Sequence, residues 1–141
     1  MSIKRAADHH NVMAVISKPK PKRRKTTERK RLIKRLDDVT REIVLRRGSS
    51  CVTCGSSTRL QCGHLITRAR YGTRWDLMNC HIQCAGCNLR HEYQPEIYTR
   101  WFLNTYGEQE YQNLCNRAES RGKFTIDELE TILMELEAMN E

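Results

Sequence analysis

The chain has 141 residues, 38% of them hydrophobic and only 6% aromatic, enough for one compact domain with tails and too few for two ordinary cores. No apolar signal-peptide core follows Met1 and no apolar run approaches the roughly twenty residues of a membrane span. The seven cysteines are therefore expected as reduced thiols in a cytoplasm, where paired spacing points to metal rather than to secreted disulfides. The net charge of +8 is unevenly spread: residues 1–50 hold 16 Lys/Arg against 5 Asp/Glu, residues 51–107 hold 6 against 3, and residues 108–141 hold 3 against 9. Such a gradient suits a polyanionic partner met from the N-terminal side, and no membrane.

Residues 1–25 have no sustained period, and Lys18-Pro-Lys-Pro-Lys-Arg-Arg-Lys25 joins prolines to dense like charge, which predicts a disordered basic arm. Lys22, Arg23, Arg24 and Lys25 would add sequence-blind, salt-sensitive affinity for phosphates. From Thr26 or Thr27 as N-cap, Leu32, Leu36, Val39 and Ile43 recur at helical spacing until Gly48. The opposite face of this basic amphipathic helix, residues 26–48, carries Arg29, Lys30, Lys34, Arg41 and Arg46. It is either a solvated face or a second set of phosphate contacts, with Lys30 and Lys34 the candidates.

Gly48 to Gly55 is a turn-rich knuckle around Cys51 and Cys54, and Leu60 to Ile66 reads as a short strand. Thr67 to Trp75 reads as a loop with Arg68, Arg70 and Arg74 around Gly72, and Met78 to Gln83 as the returning strand. A helix from about Cys84 to Gln94 would then carry Asn88 and His91 on one face, before Pro95 opens another that Gly107 ends. Ile97, Trp101 and Phe102 or Leu103 are its packing candidates. A further helix, Glu108 to about Arg121, precedes the best-marked one, where the capping box Thr125-Ile-Asp-Glu128 introduces Ile126, Leu129, Ile132, Leu133, Leu136 and Met139. That apolar stripe serves either as core or as the face of a homodimer. The fold class expected is α+β: a small zinc-stabilised ββα finger of the treble-clef type at 49–107, embedded in helices, with the C-terminal helices at 108–141.

Two Cys-x-x-Cys pairs, Cys51/Cys54 and Cys84/Cys87, can close a tetrahedral Zn²⁺ site whose four thiolates leave no open position, which makes that zinc structural. Cys62 and Cys80 stand where an apolar residue would also serve, and read as buried thiols or as parts of a second metal site. His64 lies between the pairs. Neutral imidazole can take a proton from water near neutral pH, and a hard ion, Mg²⁺ or Mn²⁺, would take oxygen from Asn88 with Asp76, or accept His91 as a softer ligand. Asn79 suits a role in pinning His64 or the loop.

The order His64, Asn79, Cys84-x-x-Cys87-Asn88 resembles the HNH endonucleases, which share a ββα-metal finger. More narrowly, Cys51-Val-Thr-Cys-Gly55, Gln-Cys-Gly-His64, Thr73-Arg-Trp-Asp-Leu-Met-Asn-Cys80 and Gln83-Cys-x-x-Cys-Asn88 resemble the NinG/Rap group of phage recombination nucleases. The resemblance covers about residues 48–107. It implies a metal-dependent DNA endonuclease acting on branched DNA such as Holliday junctions or D-loops, with His64 as general base, Asn79 as its positioning partner, Asn88 on the catalytic metal and the four paired cysteines on zinc. Many HNH sites carry an acidic metal ligand just before the histidine, whereas this chain has Gly63. The rival expectation is a zinc-ribbon or treble-clef DNA-binding module without catalysis, which explains the cysteines and the charge but leaves the spacing of His64, Asn79 and Asn88 as coincidence.

Overall fold

In the computed structural model, which describes residues 17–20 and 27–141, Thr27 caps the first helix, α1 (Glu28–Leu45), its Oγ1 accepting from the Lys30 amide. Lys22, Arg23, Arg24 and Lys25 of the expected arm lie outside the described residues. Leu36, Val39 and Val44 are buried along one side of α1, with Leu32, Ile33 and Ile43 half-buried around them. That is the stripe its periodicity predicts.

The hairpin follows: β1 (Leu60–His64) pairs antiparallel with β2 (Cys80–Cys84), with His64 opposite Cys80 and Leu60 opposite Cys84. Strand pairing stops at His64 rather than continuing to Ile66 because the Asn79 side chain replaces a strand partner there, its Oδ1 accepting from the Ile66 amide and its Nδ2 donating to the Ile66 carbonyl. Within the expected loop the chain makes one helical turn, α2 (Tyr71–Arg74). Helix α3 (Ala85–Arg90) is shorter than its pattern, with His91 at its C-cap; the approach to Pro95 keeps the preceding residue out of helical backbone, and Pro95 then opens α4 (Pro95–Tyr106). Helices α5 (Glu108–Ser120) and α6 (Ile126–Met139) complete the chain, and both halves of the Thr125/Glu128 capping box form.

Three small apolar clusters share the packing. Leu129 and Leu136 of α6 meet Leu36 and Val39 of α1 with Trp75, so the buried part of the last helix's stripe is intramolecular core. Tyr98 and Phe102 of α4 join Leu65 and Leu114, with the expected Trp101 half-buried against them and Tyr98 in the place where the sequence pattern pointed to Ile97. Val44, Cys80 and Ile82 join the end of α1 to the hairpin. Among the described residues no helix is long and apolar enough to cross a membrane.

Close approach of α2 to α5 depends on Gly72, where an added Cβ would lie 2.3 Å from the Arg117 carbonyl oxygen. Backbone cannot yield as a flexible side chain can. Gly72→Ala is expected to lower stability by about 1–3 kcal/mol, the usual cost of overpacking, read as a shift of the urea midpoint with unchanged slope.

Candidate functional site

Strand alternation sorts the hairpin's side chains onto two faces. Cys62, His64, Cys80 and Ile82 share the face toward α1, while Gln61, Gly63, His81 and Gln83 share the one toward α3 and α4. At the foot of the hairpin Gly55, with φ of 79°, turns the knuckle, and the Val52 amide donates to the Ile82 carbonyl, so the first cysteine pair is fastened to β2.

The four sulfurs of Cys51, Cys54, Cys84 and Cys87 lie within 4.8 Å of one another, and Cys54 and Cys84 are 3.6 Å apart. Zinc–sulfur bonds of about 2.3 Å in a tetrahedron require sulfur separations of about 3.8 Å, so this group could hold a metal such as zinc. The Ser56 amide donates to Cys54, and the Cys87 amide donates to Cys84 and lowers the pKa of that thiol. For Cys51, burial works against ionisation, but the Thr53 hydroxyl and nearby backbone amides outweigh it and bring the thiol down to about 6. The Thr53 hydroxyl favours the Cys87 thiolate too, yet burial and contact with the other three sulfurs push that thiol up to about 12. Four adjoining thiolates need a cation.

His64 closes β1. Its Nε2–H donates to the Arg74 carbonyl at 2.8 Å, which leaves Nδ1 as the bare nitrogen of the neutral ring. Burial holds its pKa below 6.5, with the Arg68 charge adding to that, while the Arg74 carbonyl and Asp37 pull the other way. Beside it the Cys80 thiol donates to the Arg74 carbonyl at 3.7 Å; the adjoining Cys62 sulfur and burial raise the Cys80 pKa, while the Cys80 sulfur lowers that of Cys62.

Two adjoining clefts of about 840 and 470 Å³ share Gln61, Cys62, His64, Arg68 and Asn88. Asn88 Nδ2 donates to Gln61 Oε1 at 2.9 Å, which leaves Asn88 Oδ1 as an uncommitted oxygen. Glu92, one helical turn beyond Asn88, lines the larger cleft with His91. Lys34, Asp38 and Arg41 of α1 wall the smaller one.

The fully buried Asn79 touches neither cleft. Besides its bonds to Ile66 it donates to the Thr73 carbonyl, one residue before the carbonyl that orients His64, so it is a positioning residue. Asp76, expected as a metal ligand, is committed elsewhere: Oδ2 pairs with Arg117 at 2.6 Å, Oδ1 caps the Met78 amide, and it faces a different hollow. Nε2–H of His91 is taken by the Leu65 carbonyl at 2.7 Å, and its Nδ1 is buried without a partner. Expected among the phosphate contacts, Arg74 is corrected as well. Its side chain is 15% exposed, lies beside the Tyr71 and Trp75 rings and grips Asp37 with two nitrogens, which makes it a scaffold residue. Arg68 also reaches Asp37 but stays on the cleft rim, and Arg70 and Lys30 are exposed.

Several site residues escaped sequence reasoning. Asp37 accepts from Arg68, Arg74 and Trp75 and so ties α1 to the 67–75 segment. Tyr98 donates its hydroxyl proton to the Gly63 carbonyl and accepts from His81 Nδ1–H, anchoring α4 one residue before His64. Burial, then the Arg47 charge, lowers the His81 pKa to about 4, so His81 is neutral. At Gly63 an added Cβ would meet the Gln83 side chain, so any larger residue there requires Gln83 to move. Only Gln61 and Glu92 left a sequence signal: Gln61 precedes Gly63 by two on the same strand face, and Glu92 follows Asn88 at i+4.

A strand, a strand and a helix built around a four-cysteine group that could hold zinc define a small metal-knuckle protein of mixed helix and sheet. The family model described as bacteriophage lambda NinG protein matches residues 3–140, nearly the whole chain, and the protein belongs to that family. Among curated proteins and solved structures none matches it.

Asp37→Asn is expected to destabilise the fold by about 2–3 kcal/mol at pH 7, less than the 3–5 of a fully buried pair because the cluster is partly exposed. Burial works to raise the Asp37 pKa, but bonds from Arg74 and Trp75 and the charges of Arg74 and Arg68 hold it below the ordinary 3.8. A depressed carboxyl pKa contributes stability above the unfolded value and loses it as pH falls through the folded one. The gap between wild type and variant, measured by urea denaturation, should therefore be constant above about pH 5 and narrow below about pH 4.

Proposed function

We propose that this protein is a zinc-stabilised, Mg²⁺- or Mn²⁺-dependent endonuclease of the HNH type, hydrolysing phosphodiester bonds in branched DNA during phage recombination in the bacterial cytoplasm. The observation that carries the reading is the pairing, across one open cleft, of a histidine whose Nε2–H is spent on the Arg74 carbonyl with an asparagine whose Oδ1 is uncommitted. His64, neutral at physiological pH, takes the proton of a water through its bare nitrogen. Asn88 Oδ1, with Gln61 and Glu92 as further oxygen donors on the same wall, would hold the hard divalent ion; Asp76 has no part in it. Bound there, such an ion supplies positive charge to the phosphate as it gains negative charge. Lys34 and Arg41 on one wall and Arg68 on the other, with exposed Lys30 and Arg70, orient the DNA through phosphates, and the charge of Lys22, Arg23, Arg24 and Lys25 adds to that affinity. Contacts of that kind carry no sequence information, which suits recognition of DNA shape.

A second reading, a DNA-binding zinc module without catalysis, is favoured by one observation. The carboxylates walling the smaller cleft are already engaged, Asp37 by Arg68 and Arg74, Asp38 by Lys34 and Arg41, and position 63 carries glycine rather than an acid.

Cleavage of labelled linear duplex and four-way-junction DNA with Mg²⁺, Mn²⁺ or EDTA separates the two. With one zinc per chain, the wild type should cut the junction with either ion, and His64→Ala should lose about 10²–10⁴-fold in rate with the four-cysteine zinc and DNA affinity unchanged. If the wild type carrying one zinc binds DNA tightly and cuts neither substrate, the nuclease reading fails and the binding module stands.

A further inference from the structure

We propose that Cys62, His64 and Cys80 form a second metal site, for a thiophilic divalent ion such as Zn²⁺ or Co²⁺, separate from the four-cysteine group. Strand geometry brings the three together. Cys62 and His64 are two apart on β1 and so share a face, and Cys80 is the β2 residue directly opposite His64. Their donor atoms lie within 4.8 Å of one another. A tetrahedral site needs donor separations of about 3.5–3.8 Å, so contraction of about 1 Å by side-chain rotation closes it round an ion.

The donor set is chemically selective. One imidazole nitrogen and two sulfurs suit a borderline-soft ion and suit Mg²⁺ or Ca²⁺ poorly. Three protein ligands also leave a fourth position. Cys62 and His64 line both clefts, giving an ion and a water a way in, while fully buried Cys80 closes the site from beneath. Packing alone accounts for Cys80 beside Val44 and Ile82, where a small apolar residue would do the same. It does not account for a second sulfur and an imidazole converging on it at an open cleft.

One consequence rests on the nuclease reading. A neutral imidazole has a single bare nitrogen, so His64 cannot bind this ion and accept a proton from water at once. Occupancy would switch catalysis off.

The site itself is tested without reading cleavage. Reduced, metal-free full-length chain is titrated with Co²⁺, following sulfur-to-cobalt charge-transfer absorbance, and zinc is counted after reconstitution and dialysis. Two equivalents per chain are expected for wild type and one for Cys62→Ala/Cys80→Ala, with the four-thiolate spectrum intact. A single equivalent in wild type overturns the proposal. So does a second equivalent that persists in the variant, which would place it on the protein surface. Should the double variant lose its far-ultraviolet dichroism, half-buried Cys62→Val decides alone: the second equivalent must weaken at least tenfold, and unchanged affinity refutes the site. A chain that holds two ions but cuts no DNA even with only the four-cysteine group filled upholds this inference and overturns only the nuclease reading.

Discussion

The carboxylate of Asp37 is the joint on which the cleft depends. It sits on α1, yet its partners Arg68, Arg74 and Trp75 all belong to the segment that leaves the hairpin. Two parallel bonds from one guanidinium fix orientation as well as distance, so the Arg74 backbone is held in one place. The carbonyl of that residue receives His64 Nε2–H and thereby sets the tautomer and tilt of the imidazole. Asn79 fastens the same stretch from inside through the Thr73 carbonyl, and Tyr98 fastens Gly63 from the far side. Asp37, Asn79 and Tyr98 therefore converge from separate parts of the chain on Arg74, Thr73 and Gly63 around His64. Support of this kind holds a reactive side chain in register on a hairpin too small to do so itself.

The hairpin shows why a metal knuckle suits this chain. A two-stranded sheet is marginal in water, and its buried residues on the α1 side amount to Cys80 and Ile82 against Val44. The opposite face presents Gln61, Gly63, His81 and Gln83, of which His81 packs among the Tyr98, Trp101, Phe102 and Tyr106 rings of α4. Four sulfurs at the base of the hairpin, two of them from the knuckle and two from the β2–α3 junction, occupy the place where a larger domain would keep its core. A zinc ion held by such a set can add on the order of 10–16 kcal/mol of folding free energy, more than several buried leucines at about 1.5–3 kcal/mol each.

Local chemistry was legible and partnership was not. Thr27, Pro95 and the Thr125/Glu128 box announce helix starts because caps act within four residues, and the cysteine pairs announce a metal group because zinc geometry fixes ligand spacing. That Asn88 and His64 share a cleft follows from strand, strand and helix in that order. Asp37 gave no signal, since it is one of two adjacent acids on a helix and its three partners lie more than 30 residues away. Tyr98 rather than Ile97 faces the core because helical periodicity tolerates a one-residue rotation, and only the Gly63 carbonyl decides it. Arg74 shows the same limit. A cation in a polar loop looks like a phosphate contact until the half-buried carboxylate opposite it is seen.

Charge shows the same distinction at the scale of the molecule. The N-terminal excess of Lys and Arg and the C-terminal excess of Asp and Glu look, in sequence, like two separate tails. In the fold they are partly one interface: α6 lies along α1, Arg35 pairs with Glu137, and Arg46 reaches Asn140. Exposed pairs of this sort contribute little stability. Their effect is to sort the cations of α1 by direction. Those facing α6 are neutralised or bonded, whereas Lys34 and Arg41 on the other flank remain at the cleft with Arg68 facing them. Lys34 and Arg41 share the single acid Asp38 between them, and Arg68 shares Asp37 with Arg74, so positive charge is left over at the mouth of the cleft. Among the described residues, positive potential along α1 is therefore concentrated on the flank that opens on His64 rather than spread over the helix as a whole.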